Sequence, residues 1–92
     1  MEDLVSIITP VYNCEAFLPE AARSVMEQTW GNWEWIIVDD GSVDGSFDLA
    51  RSLAEQDSRI RTERLESNMG PAAARNRAID MAKGRFIAFL DC

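Results

Sequence analysis

Residues 33–42, Trp-Glu-Trp-Ile-Ile-Val-Asp-Asp-Gly-Ser, decide how the rest of the chain is read. Trp33 to Val38 are apolar apart from Glu34, rich in β-branched and aromatic side chains, and too few for a stable helix. Such a run is a strand covered on both faces, as in a parallel sheet. The acidic pair Asp39-Asp40 and the Gly41-Ser42 after it close the run with turn residues. Outward from this stretch lie two further apolar runs, Leu4 to Thr9 (LVSIIT) and Phe86 to Leu90 (FIAFL), each expected to be buried on both faces. A weaker run, Ile60 to Leu65 (IRTERL), alternates apolar and charged residues and suits an edge strand, which its charges blunt. Trp33, Trp35 and the preceding Trp30 read as packing anchors, Trp30 being the one that can be exposed.

Helical spacing fills the intervals. Phe17, Leu18, Ala21, Ala22, Val25 and Met26 pair four apart, and Pro19 is tolerable only in a first turn, so a first helix ends near Gln28. A second is expected over Phe47 to Asp57, N-capped by Ser46, with Phe47, Ala50, Leu53 and Ala54 facing inward. A third is expected over Ala72 to Lys83, with Pro71 at its start and Gly84 as its C-terminal stop. The order βαβαβαβ then implies parallel strands joined by right-handed crossovers, a Rossmann-like α/β sheet; the strand order expected for it is 3-2-1-4.

A chain of 92 residues, 47% apolar, holds one modest core and no second domain. Sixteen acidic against nine basic side chains, with no histidine, give a formal charge of -7, which disfavours nucleic acid and anionic membrane as partners. No stretch reaches the roughly 20 apolar residues of a membrane span, and the opening MEDLVSIITP has no basic leader region, so the chain reads as cytoplasmic. Cys14 and Cys92 lack the CxxC spacing of a zinc or redox site; a reducing compartment is the default, and Cys14, with no base beside it, reads as a small filler residue. There is no GxGxxG after the first strand and no GxxxxGK[ST], which disfavours a dehydrogenase-type dinucleotide site and excludes a P-loop.

In an open parallel sheet the ligand sits beyond the carboxyl ends of the strands, where strand order reverses. Strand one ends in Thr9-Pro10-Val11-Tyr12-Asn13, strand two in Asp39-Asp40, and strand four in Asp91. Three carboxylates therefore converge on one edge, with Arg75 near the start of helix three as the basic group best placed to meet them. A divalent ion bridging carboxylates and phosphate oxygens relieves such repulsion, carboxylates can also read a base or ribose, and helix-three amides with Arg75 favour phosphate. The same residues read equally as turn and helix-start chemistry with a solvated strand end, and spacing alone does not separate the two. A receiver-like phosphoacceptor domain would carry its acidic pair after strand one, where this chain has Pro-Val-Tyr-Asn.

Four segments in order, VSIITPVYN (5–13), SVMEQT (24–29), WEWIIVDDGSVDGS (33–46) and NMGPAAARNRAIDMAKGRFIAFLD (68–91), resemble the opening of family 2 glycosyltransferases of the GT-A fold. The resemblance covers nearly the whole chain and implies a nucleotide-sugar donor site, a UDP-sugar being the commonest donor in similar enzymes, with inverting transfer to an acceptor hydroxyl and Mg2+ or Mn2+ in the full enzyme. It implies that Thr9, Pro10 and Tyr12 cover the base and ribose and that Asp40, beside Asp39 in the DDGS motif, accepts a hydrogen bond from the base. Asn68, Gly70 and Arg75 match the NxG...ARN segment, and Asp91 matches the first aspartate of a DxD motif that contacts ribose and helps hold the metal.

The sequence ends at Asp91-Cys92, within that motif. Residues 1–92 are accordingly expected to be a single nucleotide-sugar-binding half domain, the N-terminal half of a GT-A fold, with no catalytic residue in the chain and no transfer activity alone. The alternative is a non-catalytic nucleotide-binding or assembly module that keeps the fold. Phe86 to Leu90, as an apolar outer strand, is expected to make the chain a homo-oligomer.

Overall fold

The computed structural model describes residues 3–92; residues 1–2, part of the opening read above for a leader, lie outside the described residues. Strands β1 (Val5–Val11), β2 (Trp33–Asp39), β3 (Ile60–Arg64) and β4 (Phe86–Phe89) alternate with helices α1 (Phe17–Glu27), α2 (Ser46–Gln56) and α3 (Pro71–Met81). All pairings are parallel and the order is β3-β2-β1-β4. Among the described residues no helix is long and apolar enough to cross a membrane.

The order dictates which face each helix covers. The first two crossovers step the same way along the sheet, from β1 to β2 to β3, so right-handed connections place α1 and α2 on one face. The third reverses direction, from β3 past β2 and β1 to β4, and places α3 on the other. Packing follows this division: Ile7, Val11, Trp33, Trp35 and Ile37 join Leu18, Ala21, Val25 and Ala50, whereas Ile8, Ile36 and Val38 meet Ala74 and Ala78. Odd-numbered positions of β1 and β2 thus face α1 and α2, and even-numbered positions face α3, as the two-residue period of a strand requires. Trp35 lies in the first layer with no exposed surface, its indole N–H donating to Thr9 Oγ1 at 2.8 Å. Trp33 is buried beside it and Trp30 is exposed.

Four expectations are corrected. β4 is not buried on both faces: Phe86, Ile87 and Phe89 are all exposed, because among the described residues β4 is an edge strand that pairs with β1. Ser46 is the first residue of α2 rather than its cap; its buried hydroxyl accepts from Cys14 N and donates to Asp44. Met26 is exposed at the end of α1. Gly84 is not the stop of α3, which ends at Met81; the space for a side chain is taken by Ser6, whose hydroxyl lies 2.5 Å and whose amide lies 2.8 Å from where a Cβ would stand.

That close approach belongs to a polar closure at the end of the sheet where the strands begin. Glu34, on the α3 face of β2, accepts from Ser6 Oγ and from Lys83 N, both at 2.6 Å, and from Arg61 Nη2 at 2.9 Å. Ser6 Oγ in turn accepts from Gly84 N at 2.8 Å, and Arg61 also donates to the carbonyl of Met81. One carboxylate therefore ties β1, β2 and β3 to the turn that returns the chain from α3 to β4. Burial raises the pKa of Glu34, but the hydrogen bonds from Lys83, Ser6 and Arg61 together outweigh it and hold the group below the usual glutamate range.

Candidate nucleotide site

At the opposite end of the sheet, beyond the last residues of β1, β2 and β4, lies a cleft of about 430 Å3. Pro10, Val11 and Tyr12 form one side, Asp40 and Asn68 the floor toward α3, and Pro71, Arg75 and Asp91 the other side. This is the point where strand order reverses, between β1 and β4. Of the residues expected at a nucleotide, Pro10, Tyr12, Asp40, Asn68, Arg75 and Asp91 line the cleft.

Thr9 and Asp39 do not line it, and strand parity explains why. Both lie at odd positions, facing α1 and α2, and neither has exposed surface. The hydroxyl of Thr9 is engaged by Trp35. Asp39 Oδ2 accepts from Gly41 N at 3.0 Å and Ser42 N at 2.8 Å and lies 3.5 Å from Arg64, so this carboxylate shapes the β2–α2 turn. Its next neighbour in sequence points the other way. Asp40 Oδ1 accepts from Met69 N at 2.7 Å and Oδ2 from Gly70 N at 2.9 Å, which fixes the loop leading into α3. Gly70, at φ 99°, occupies the left-handed region that lets both amides turn toward one carboxylate. Gly41, at φ 81°, does the same beneath them; a Cβ there would stand 3.1 Å from the amide of Asn68. The three convergent carboxylates expected from strand ends are therefore two at the cleft, Asp40 and Asp91.

The wall that presents Tyr12 is held by contacts between the β1–α1 and β2–α2 turns that the sequence reading did not assign. Asn13, in the left-handed region at φ 53°, receives and returns hydrogen bonds across to the β2–α2 turn: its amide donates to Ser42 Oγ, and Val43 N donates to Asn13 Oδ1, both at 2.9 Å. Cys14 N donates to Ser46 Oγ at 2.9 Å, and Gly45 N to Glu15 Oε1 at 3.0 Å. The Ser46 hydroxyl, donating to Asp44 at 2.6 Å, holds that exposed carboxyl below its usual range. Asn, Ser and Asp at two neighbouring turns are the available signal, since they are the side chains that bond backbone amides locally.

On the far wall Arg75 Nη2 lies 3.3 Å from Asp91 Oδ2, and its guanidinium stands over the Phe89 ring at 5.8 Å. Leu90 N donates to Ile8 O at 2.9 Å, and Cys92 Sγ lies 3.7 Å from the Pro10 carbonyl. Cys92 follows, joined by a disulfide to Cys14 across the cleft with their Cα atoms 6.3 Å apart. The expectation of an unbridged filler at Cys14 is corrected: topology brings together two residues 78 positions apart that share no local motif. Among the described residues no three acidic, histidine or cysteine side chains group as a metal site. Asp91 offers one carboxylate, where a hard divalent ion takes about six oxygen ligands, so these residues do not by themselves fit such an ion.

The family described as Glycosyl transferase family 2 matches residues 6–92. The putative teichuronic acid biosynthesis glycosyltransferase TuaG of Bacillus subtilis is 47% identical over 88 residues, covering 96% of this chain and 35% of its own length. The Escherichia coli UDP-Glc:alpha-D-GlcNAc-diphosphoundecaprenol beta-1,3-glucosyltransferase WfgD is 47% identical over 92 residues, covering 99% of this chain and 36% of its own. The chain thus spans about a third of the length of these curated relatives. Among solved structures, the mannosyltransferase PcManGT of Pyrobaculum calidifontis, in complex with GDP-Man and Mn2+, superposes with a TM-score of 0.89 at 26% identity, over 99% of this chain and 28% of its own. S. aureus TarS 1-349 in complex with UDP-GlcNAc superposes with a TM-score of 0.86 at 31% identity, over 95% and 26%.

Proposed function

The chain belongs to glycosyltransferase family 2, and on that premise we propose that its cleft binds the nucleotide of a nucleotide-diphosphate sugar. Its strand order and helix placement match the N-terminal Rossmann-like part of GT-A glycosyltransferases. Residues 1–92 are then the donor-binding half domain of an inverting enzyme that passes the sugar to an acceptor hydroxyl in polysaccharide synthesis, working in the cytoplasm.

The observation that carries the reading is Asp40. It is 2% exposed, lines the cleft, and uses one lone pair of each oxygen on Met69 and Gly70. A carboxylate oxygen has two lone pairs, so each retains one acceptor site, suited to a ring N–H of a base. Exposed Tyr12 supplies a flat face on the opposite wall. The N-terminus of α3 has no side-chain cap, so its first free amides and Arg75 favour the phosphates. Thr9 and Asp39 act behind this surface, holding Trp35 and the β2–α2 turn. In the full enzyme Mg2+ or Mn2+ would screen charge on the diphosphate, with Asp91 as one oxygen ligand.

Base preference falls to uridine, supported by the UDP-sugar in the name of a 47% identical relative and by the UDP-GlcNAc complex of a 31% identical structure. Calorimetry with nucleoside diphosphates, with and without Mn2+, tests the proposal. Uridine diphosphate is expected to bind weakly but ahead of the other bases, with little help from Mn2+, and Asp40→Ala to abolish the preference. A variant that stays folded and binds uridine diphosphate as the parent does would remove Asp40 from the role. The isolated chain is expected to transfer no sugar, since among the described residues the cleft carboxylates Asp40 and Asp91 are engaged by Met69, Gly70 and Arg75 and much of such a rate comes from a positioned base.

A further inference from the structure

We propose that the Cys14–Cys92 pair is a reversible redox latch that sets the affinity of the nucleotide cleft, a proposal that rests on the nucleotide reading above. Both cysteines line that cleft, Cys14 two residues beyond Tyr12 and Cys92 next to Asp91. Cys14 stands on a fixed base: its amide is bonded to the buried Ser46, one residue beyond the Asn13–Ser42 clasp and two beyond Tyr12. Cys92 is different. Beyond Leu90, and among the described residues, Asp91 and Cys92 are held by the disulfide, by a 3.7 Å contact of Cys92 Sγ with the Pro10 carbonyl, and by the Arg75–Asp91 pair, whose side chains are 36% and 53% exposed. An ion pair that open to water fastens little. The bridge is, among the described residues, the covalent tie between the segment that carries Asp91 and the segment that carries Tyr12.

Bridged, the cleft is already in the form that a nucleotide would contact at Tyr12 and Asp91. Opened, the ligand must order that segment as it binds, and fixing the backbone of even one residue lowers an association constant by about tenfold. In a reducing compartment a disulfide is a state to be entered and left rather than a permanent staple.

A low-molecular-weight disulfide suffices as oxidant. The exposed Cys92, as thiolate, attacks one of its sulfurs, forms a mixed disulfide and releases one small thiolate. The less accessible Cys14, as thiolate, then attacks the Cys92 sulfur and releases the second. The protein loses two electrons, the small disulfide gains them, and the two cysteine protons pass to the departing thiolates. A small dithiol reverses the sequence.

The test uses the whole chain, equilibrated with oxidised glutathione or with dithiothreitol. Alkylation and intact mass are expected to count no free thiol in the first state and two in the second. Hydrogen exchange at residues 90–92 should be about tenfold slower in the oxidised state, and calorimetry should give uridine diphosphate an affinity about tenfold higher there. Cys92→Ser should bind as the reduced form does under both conditions, and Cys14→Ser likewise. Two free thiols after oxidation would overturn the latch. Equal affinity in both states, with the exchange difference present, would overturn control of the cleft while the nucleotide reading stands. Binding in neither state would overturn the nucleotide reading and the control that depends on it.

Discussion

At the end of the sheet where the strands begin, Glu34 is enclosed by donors, one from a side chain of β1, one from a side chain of β3 and one from the α3–β4 turn. At the end where they finish, Asp40 is as deeply buried but, among the described residues, meets donors from the loop before α3, and its remaining lone pairs border a cleft of about 430 Å3. Both carboxylates are on the α3 face of the same strand line, six residues apart. The difference is in what surrounds them. A buried acid whose acceptor sites are met from several elements fastens the fold, whereas one met from a single loop beside open volume has capacity left for a ligand.

The sharpest way to break this comparison is to remove Glu34. Glu34→Ala would leave the Ser6 hydroxyl and the Lys83 amide without their acceptor and the Arg61 guanidinium with the Met81 carbonyl in its place, and unsatisfied buried donors of this kind cost about 3 kcal/mol. Urea unfolding is expected to show that loss, with nucleotide affinity of the folded protein unchanged. The group also carries a pH signature. Its folded pKa is depressed, so its stabilisation is fully present above the ordinary glutamate pKa and is lost as pH falls through the lower folded value. Unfolding free energy should therefore decline on acidification below about pH 4.5, less steeply in Glu34→Gln. An unaltered slope in that variant would move the closure of this end to other groups.

Gly84→Ala probes the same end from the packing side. The added Cβ would stand 2.8 Å from the Leu4 carbonyl and the Ser6 amide, both backbone, so the turn must shift. A cost of about 2 kcal/mol is expected in the same unfolding experiment. A neutral result would mean that the α3–β4 turn yields freely and that the Glu34 network is softer than its distances imply.

Ser42→Ala tests the open end more gently. It leaves the Asn13 amide without its acceptor while sparing every cleft-lining side chain, and about 1 kcal/mol of stability should be lost. Nucleotide affinity should fall as well, because Tyr12 follows the clasp. Loss of stability with unchanged affinity would show that Tyr12 is positioned by β1 alone.

The contrast between the ends was only partly legible in the sequence. Apolar runs and four-apart spacing were enough for element order, because both are short-range patterns; the strand order 3-2-1-4, expected and found, rests on pairings such as Val5 with Phe86 that no short-range pattern names. Glu34 sat inside a run read as buried, and nothing local to WEWIIV names Ser6, Arg61 or Lys83 as its partners. The DDGS motif led to the correct edge, but Asp39 and Asp40 were expected there together; alternation along β2 sends one into the turn and the other to the cleft. Gly84 reads as a helix stop in sequence because a close approach to Ser6, 78 residues away, leaves no local trace. The Cys14–Cys92 bridge is hidden for the same reason.

The smallest effect on stability, and the one that carries the comparison from the ends of the sheet to its sides, concerns the outer strands. β3 is finished: Arg61 is tied to Glu34, and Glu63 to Arg77 at 2.8 Å. β4 is not. Phe86, Ile87 and Phe89 are exposed, and beside Ala88 a shallow groove of about 230 Å3 runs between the strand and α1, walled by Val5, Ile7, Val25 and Leu90. An apolar edge of this kind pairs readily with another strand, and we propose that a second copy of the chain meets it there. Light scattering should then show a dimer or larger species. Ala88→Lys would place a charge in the middle of the exposed edge, where an approaching copy would have to desolvate it, while the intramolecular pairing of β4 with Ile7 keeps its backbone hydrogen bonds. Stability of the folded unit should change by no more than about 0.5 kcal/mol, and the scattering mass should fall to that of a monomer. A monomeric parent, or a variant that associates as the parent does, would mean that the open edge is not where copies meet.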